Sequence, residues 1–448
     1  MIERVVVLMM SVGLCAPMAQ AGIVPTGDVI PADPTTWTTS TTAYIGKTGV
    51  GSVAVDDGSD LVSSYGYLGY YQSGSAGAVT VSGVGSTWTS SSDIFIGHGG
   101  DATLDITDGG AVSNVDGYIG HNYLSTGVVT VSGLGSTWTN SGDLQVGNDG
   151  SRRNGTLNIV DGGQVVVSQR TVMERRTDTV SEINFDGGTL TTGEFWGSAA
   201  DLSGTGTINT HALVSDVDLV FDAAHGLTQT FMVTGPGRNI TVNLDVDGSS
   251  PMGVGYSGNG SLHISDGLTV QSTNGYLGYR SGSTGTATVS GAGSTWTNSK
   301  GLYIGYRGDA TLHITDGGAV SNLNASIGDG SCTGVVTVSG AGSTWTSSSS
   351  IQVGDYGNGT LDITDGAAVS GGAKIGYQSG GTGAVRVSGT GTTWNGGFTV
   401  GYSGNGTRWT SPMARPSTAA PRSATSPAAR VRRRSAVPGR PGAAATLT

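Results

Sequence analysis

The sequence predicts an all-β chain wound into a right-handed parallel β-helix, a solenoid of about 25-residue coils with two coils per repeat of about 49 residues. Three observations predict it. Glycine supplies 79 of 448 residues, set among Ser, Thr and regularly placed Val, Ile and Leu. Glycine and β-branched residues are poor helix formers, and this mixture suits short strands joined by tight turns. Second, Trp37, Trp88 and Trp138 lie 51 and 50 residues apart, and Trp296, Trp345 and Trp394 lie 49 and 49 apart. Third, the glycines that follow Ile, Leu or Val at Gly46, Gly69, Gly97, Gly120 and Gly147 step by 23, 28, 23 and 27 residues.

Two phrases interleave along the chain. One is Val-Ser-Gly-x-Gly-Ser-Thr-Trp-Thr. The other runs from Thr103 to Ser113 and returns at Thr311 to Val320 and at Thr360 to Val369. Each leads to an aromatic or polar residue, then an aliphatic one, then Gly, as in Tyr118-Ile119-Gly120. A coil of this length holds three short strands and three turns. Along a strand, Val79 and Val81 point one way and Thr80 and Ser82 the other. One coil alone buries nothing, so stability requires stacking on its neighbours. Stacking aligns the aliphatic positions in ladders and places a Trp in every second coil. The sequence accommodates about 16 coils, a rod on the order of 75 Å long at roughly 4.8 Å per coil.

The elements follow in order. Arg4, the apolar run from Val5 to Leu14 and Ala19-Gln20-Ala21 read as residues 1–21 of an export signal, cleaved near Ala21. The run is too short to anchor in a membrane. Cys15 raises the alternative of a lipoprotein signal, but Leu14 occupies the place where a small residue belongs. Cleavage leaves Cys332 alone, so no intrachain disulfide forms, and Cys332 reads as a neutral loop residue. Residues 22–36, with Pro25, Pro31 and Pro34, read as a leader. Residues 37–165 and 253–407 are two β-helix repeat blocks. Between them, 166–252 departs from the pattern and carries the charge run Glu174 to Asp178. It reads as continued β-helix with irregular or larger coils, or alternatively as a small inserted domain.

Residues 408–448 break the pattern with eight Arg and no acid. One reading is a disordered basic tail. The favoured reading is a shifted reading frame: synonymous codons for Arg408 to Ser417, read one base earlier, permit Thr-Val-Asp-Ile-Thr-Asp-Gly-Ala-Ala-Val, close to Thr360 to Val369. A solenoid ending there presents an open strand edge and is expected to aggregate at that end. The formal charge of −11 becomes −19 without this tail. So acidic a surface argues against nucleic acid and anionic membrane as partners.

The phrases from Val289 to Asn298 and from Gly359 to Gly366 resemble the repeat shared by autotransporter passengers and PEP-CTERM surface proteins of bacteria. The resemblance implies a β-helical passenger or stalk displayed at the cell surface, carrying no catalytic residues. No outer-membrane barrel or sorting helix follows in this sequence, so the mode of attachment stays open.

Each catalytic candidate also has a plain structural role. Asp105 with Asp108, and Asp362 with Asp365, sit three apart as paired acids do in polysaccharide-cleaving β-helices. The pair recurs along the rod, with His263 or His313 replacing its first member, whereas a catalytic pair belongs once in a cleft. Asp in an Asp-Gly turn is the favoured role. Calcium on such turns is the minor alternative, since the Gly-Gly-x-Gly-x-Asp nonapeptide is absent. None of His98, His121, His211, His225, His263 and His313 forms a His-x-x-x-His pair. Gly83-Val84-Gly85 lacks the helix a nucleotide site needs. Tyr65, Tyr67, Tyr70 and Tyr71 either stack on sugars or, as favoured, ladder on each other.

The expectation is therefore a secreted or surface-displayed structural and adhesive protein, not an enzyme, with no catalytic, cofactor-binding or metal residues. Its partners would be extracellular glycans or other cell surfaces. The alternative is a polysaccharide-binding or polysaccharide-degrading β-helix with a site at Glu174, Arg176, Asp178 and Glu182 in the divergent segment.

Overall fold

A computed structural model of the chain describes residues 22–71, 74–148, 153–174, 180–401, 408–411 and 445–447. The export segment 1–21, Arg176, Asp178 and most of the tail lie outside the described residues. The chain is a parallel β-solenoid of about 14 turns, with equivalent positions about 25 residues apart. The expected 16 is too many because part of the divergent segment goes into a hairpin rather than into coils.

The coil that begins at Asp101 shows the unit. Its strands are Asp101–Thr107, Ala111–Asn114 and Gly117–Ile119. Each pairs in parallel with its equivalent in the coil before and the coil after, so the rod has three strand columns. In the first column Val79, Leu104, Val129 and Leu157 stack in register, and so do Val81, Ile106, Val131 and Ile159. All are fully buried, each side chain contributing roughly 1.5–3 kcal/mol. The Thr, Ser and Asp residues between them face outward, as alternation requires.

The second column alternates large and small. Trp88, Val112, Trp138 and Val165 are register partners, and Val270, Trp296, Val320, Trp345, Val369 and Trp394 repeat the arrangement in the second block. The indoles of Trp88, Trp138 and Trp296 need space from the third strand of the preceding coil, and Gly66, Gly117 and Gly275 supply it, whereas Ala325 and Ala373 hold that position before Trp345 and Trp394. A Cβ on Gly117 would lie 2.9 Å from Cζ2 of Trp138, and one on Gly275 would lie 2.7 Å from Cζ2 of Trp296. The corners use the residue types that tolerate positive φ. Asp108 (φ 54°) and Gly109 (φ 89°) make a two-residue turn of the kind Asp-Gly favours. Asp57, Asp161, Asp266, Asp316 and Asp365 repeat it. The turn role of Asp108 and Asp365 is thus borne out.

Residues 22–36 are not a loose leader. Ile23–Gly27 pairs antiparallel with Val50–Val55, and Val29–Ile30 pairs antiparallel with Thr42–Ile45. A short 3-10 turn, Pro34–Thr36, follows, with Asp33 accepting from the Thr35 N–H at 3.1 Å. Trp37 then donates to the Pro31 carbonyl at 3.1 Å. This cap covers the first coil's strand edges, which would otherwise present unpaired backbone groups.

The divergent segment continues the solenoid irregularly. Coils first shorten: Trp196 pairs with Val214, 18 residues on. Then Thr228–Gly235 and Arg238–Asp245 form an antiparallel hairpin, with Arg238–Asp245 laddered on Leu202–Ser215. The first and second columns stop there. The first restarts as a separate sheet at Asp218–Phe221, and the second restarts at Thr269–Ser272. Only the third column runs on, through Met252–Val254 to Gly275–Leu277.

At the far end, Arg408–Ser411 pairs with Thr382–Val387, placing Arg408 opposite Ala384 and Trp409 opposite Val385. The preceding rung aligns Gly359 with Gly383.

Candidate functional site

The residues singled out from sequence are dispersed. Asp105 faces outward in mid-strand beside Thr130, with burial holding its carboxyl above the usual range. Asp108 sits in its turn and accepts from Ser82 Oγ at 3.2 Å. His263 and His313 pair with opposite sides of Thr288, two coils apart. Cys332 is a loop residue with a free thiol, as expected, and it is buried: the thiol donates to the Gly305 carbonyl at 3.1 Å, and burial pushes its pKa up. Glu182 points out from its strand, opposite Thr156.

The tyrosines form the expected ladder on the outer face of the third column. Tyr44, Tyr67, Phe95 and Tyr118 stack face to face, with centroids 4.8 Å apart for Tyr67–Phe95 and 4.7 Å for Phe95–Tyr118. A parallel file, Tyr70, His98 and His121, stacks beside it and meets it edge to face. In the second block Tyr276 stacks on Tyr303, while Tyr256, Tyr279 and Tyr306 form the second file. Stacking covers the ring faces, so inside a ladder no face is left for a sugar. Tyr71, half-exposed, meets the stripe only by its edge at Tyr70.

Glu174 is occupied. Its carboxylate pairs with the Arg280 guanidinium, and Arg280 also donates to Tyr256 Oη at 3.0 Å. Tyr256 donates its own hydroxyl to the Met173 carbonyl at 2.9 Å. With Trp196 and Val214, Tyr256 forms a second small apolar cluster outside the main core. The group clamps the divergent segment to the second block.

One concave surface, lined by polar side chains but exposing mainly their carbon atoms, lies in the divergent segment, where four strands meet beside the hairpin. It is lined by Thr191, Asn209, His211, Thr228, Asn243 and Asp245 among others. Thr191, Asn209, Asn243 and Thr230 are register neighbours on successive strands. They hydrogen-bond in series: Asn209 Nδ2 donates to Thr191 Oγ1 at 3.1 Å, Asn243 Nδ2 to Asn209 Oδ1 at 2.8 Å, and Thr230 Oγ1 to Asn243 Oδ1 at 2.7 Å. At one edge Thr228 Oγ1 donates to Asp245 Oδ1 at 2.6 Å, and His211 Nδ1 lies 3.9 Å from Asp245 Oδ2. Each amide in this file uses one donor and one acceptor internally. Asp245 is the single carboxylate of the lining.

The site falls inside the segment that sequence reasoning set apart, but on other residues. Neither Glu174 nor Glu182 lines it. The signal for Asn209 and Asn243 was weak, because the hairpin that brings Thr230 and Asn243 to the face has no counterpart in the repeat.

No protein-family profile, curated protein or solved structure matches this chain.

Proposed function

We propose that the chain is an exported, non-enzymatic structural and adhesive rod of the bacterial cell surface, passenger-like in design, that holds neutral extracellular glycan in the groove between Thr191 and Asp245. The observation that carries the reading is the fixed Thr191–Asn209–Asn243–Thr230 file. It presents amide and hydroxyl groups at the strand spacing of roughly 4.8 Å, held by their neighbours before a ligand arrives, which lowers the cost of binding. Neutral glycan fits because the chain's formal charge is −11. The lining's single carboxylate favours binding over cleavage, since glycoside hydrolysis in most families uses two flanking acids. The repeat, with its export signal, supports display on the outside of the cell.

The test is affinity electrophoresis of the full chain through gels carrying neutral polysaccharides. Retardation is expected, and the double variant Asn209→Ala, Asn243→Ala should lose it with an unchanged circular dichroism spectrum. Retention of binding by that variant would move the site elsewhere. Shortening of the polysaccharide with turnover would establish the degrading alternative.

A further inference from the structure

We propose that Ser326, Asp329 and Asp355 form a seat for one divalent cation with oxygen ligands, bridging two successive coils. The three lie where the aromatic stripe of the second block is interrupted. Tyr276, Tyr303, Ser326, Gln352 and Lys374 are successive register partners in the third column. Three residues beyond each stand Tyr279, Tyr306, Asp329, Asp355 and Tyr377. Two coils thus exchange ring pairs for oxygen donors, and only there do two carboxylates fall next to each other in this file.

The placement is set by the backbone. The Asp329 N–H donates to the Gly305 carbonyl at 2.8 Å, and the Asp355 N–H donates to the Gly328 carbonyl at 3.1 Å. The two residues therefore occupy the same corner of adjacent coils, and their carboxyl groups are in contact. Asp355 is only 7% exposed, and its Oδ1 has no hydrogen-bond partner. Ser326 is 4% exposed, and its hydroxyl, beside the Asp329 carboxyl, makes no well-formed hydrogen bond. Buried oxygens are ordinarily paired, and two unpaired ones beside two touching carboxyls mark a site short of a positive partner.

The neighbouring side chains do not supply that partner. Arg307 and Lys374 face the pair and favour its charged form. Both are engaged with rings, Arg307 at 5.5 Å from the Tyr306 centroid and Lys374 at 4.4 Å from that of Tyr377. Among the described residues neither closes an ion pair with the acids. Hard oxygen donors suit calcium or magnesium, with water completing the shell. Among the described residues no three His, Cys, Asp or Glu side chains gather round one point. Here the third side-chain donor is a serine hydroxyl.

The test is calorimetric titration of calcium, then magnesium, into chelator-treated full chain at neutral pH, with melting curves alongside. One ion per chain and a rise in Tm on adding calcium are expected. Asp355→Asn should lose at least tenfold in affinity, and Ser326→Ala several-fold. The idea is overturned if the parent binds no divalent ion at millimolar concentration, or if Asp355→Asn binds as well as the parent. A parent unresponsive to calcium, with an Asp355→Asn variant of raised Tm, would assign the pair to a shared proton instead.

Discussion

The indole N–H of Trp138 donates to Asn114 Oδ1 at 2.7 Å across one coil boundary, with both side chains buried. Asn114 in turn donates to Asn140 Oδ1 at 2.7 Å in the coil of the tryptophan. Trp345 and Asn322 repeat the contact in the second block at 2.8 Å. A buried Trp N–H requires such a partner, and a buried amide left unpaired costs about 1–3 kcal/mol. Asn114→Ala should therefore destabilise the first block by about 2 kcal/mol and Trp138→Ala by about 3–5 kcal/mol. Urea melts followed by tryptophan fluorescence would check both, the double variant costing less than the sum because the two residues touch.

Gly117→Ala should destabilise too, although alanine is otherwise the better residue for ordered backbone. Its Cβ would fall 2.4 Å from Asn140 Oδ1 and 2.9 Å from the Trp138 ring. Overpacking of this kind costs about 1–3 kcal/mol. Trp138→Phe in the Gly117→Ala background should recover part of that loss, and thermal melts of the four proteins would measure the recovery.

His121 sets a pH dependence. Burial, and then the charges of His98 and Arg153, lower its pKa from 6.5 to about 4. Between those values the unfolded chain binds the extra proton, so this contribution is full above pH 6.5 and is lost as pH falls toward 4. Asp355, raised to about 6, titrates nearby with the opposite sign, so the readout is the difference between parent and variant. His121→Tyr places there the residue found at Tyr279 and Tyr306. It should flatten the fall in Tm between pH 6.5 and 4.

The Arg280–Glu174 pair is mostly buried, with side chains 16% and 17% exposed. Arg280→Ala leaves a carboxylate uncompensated and removes a donor from Tyr256, a loss of about 3 kcal/mol for pairs so placed. Hydrogen exchange should speed up locally, around Met173 and Trp196. An unchanged exchange pattern there would show that the apolar contacts of Tyr256 hold the joint unaided.

Much of the fold was legible because stacking makes equivalent residues neighbours, so a period in the sequence becomes a column in space. Trp88, Trp138 and Trp296 were readable for that reason, as was the turn role of Asp108. What stayed hidden depends on single events. Ile23–Gly27 and Val29–Ile30 look like a proline-rich leader because their antiparallel partners are read only from the first coil. The hairpin at Thr228–Gly235 reverses the chain once, and no periodicity announces it. The Asn209–Asn243 file depends on that reversal. Asp329 and Asp355 lie on two different coils, and only stacking makes them neighbours, so no spacing along one strand marks them.

The cap suggests a truncation experiment. Removing residues 22–36 frees the edges of Thr42–Ile45 and Val50–Val55 to pair with another chain. Light scattering after size exclusion should show association for the truncated protein and less for the parent. If both behave alike, the first coil protects its own edge.

The hairpin's interruption of two columns out of three also bears on how the rod responds to tension. A pull along the axis is shared by three ladders within either block. At the divergent segment the continuous ladder is the one through Leu202–Ser215 and Met252–Val254, backed by Tyr256 and Arg280. That joint is the mechanical fuse of the molecule, where a tethered rod would stretch first. The groove proposed to hold glycan sits at the same place, so load on the rod and occupancy of the groove would act on one set of strands.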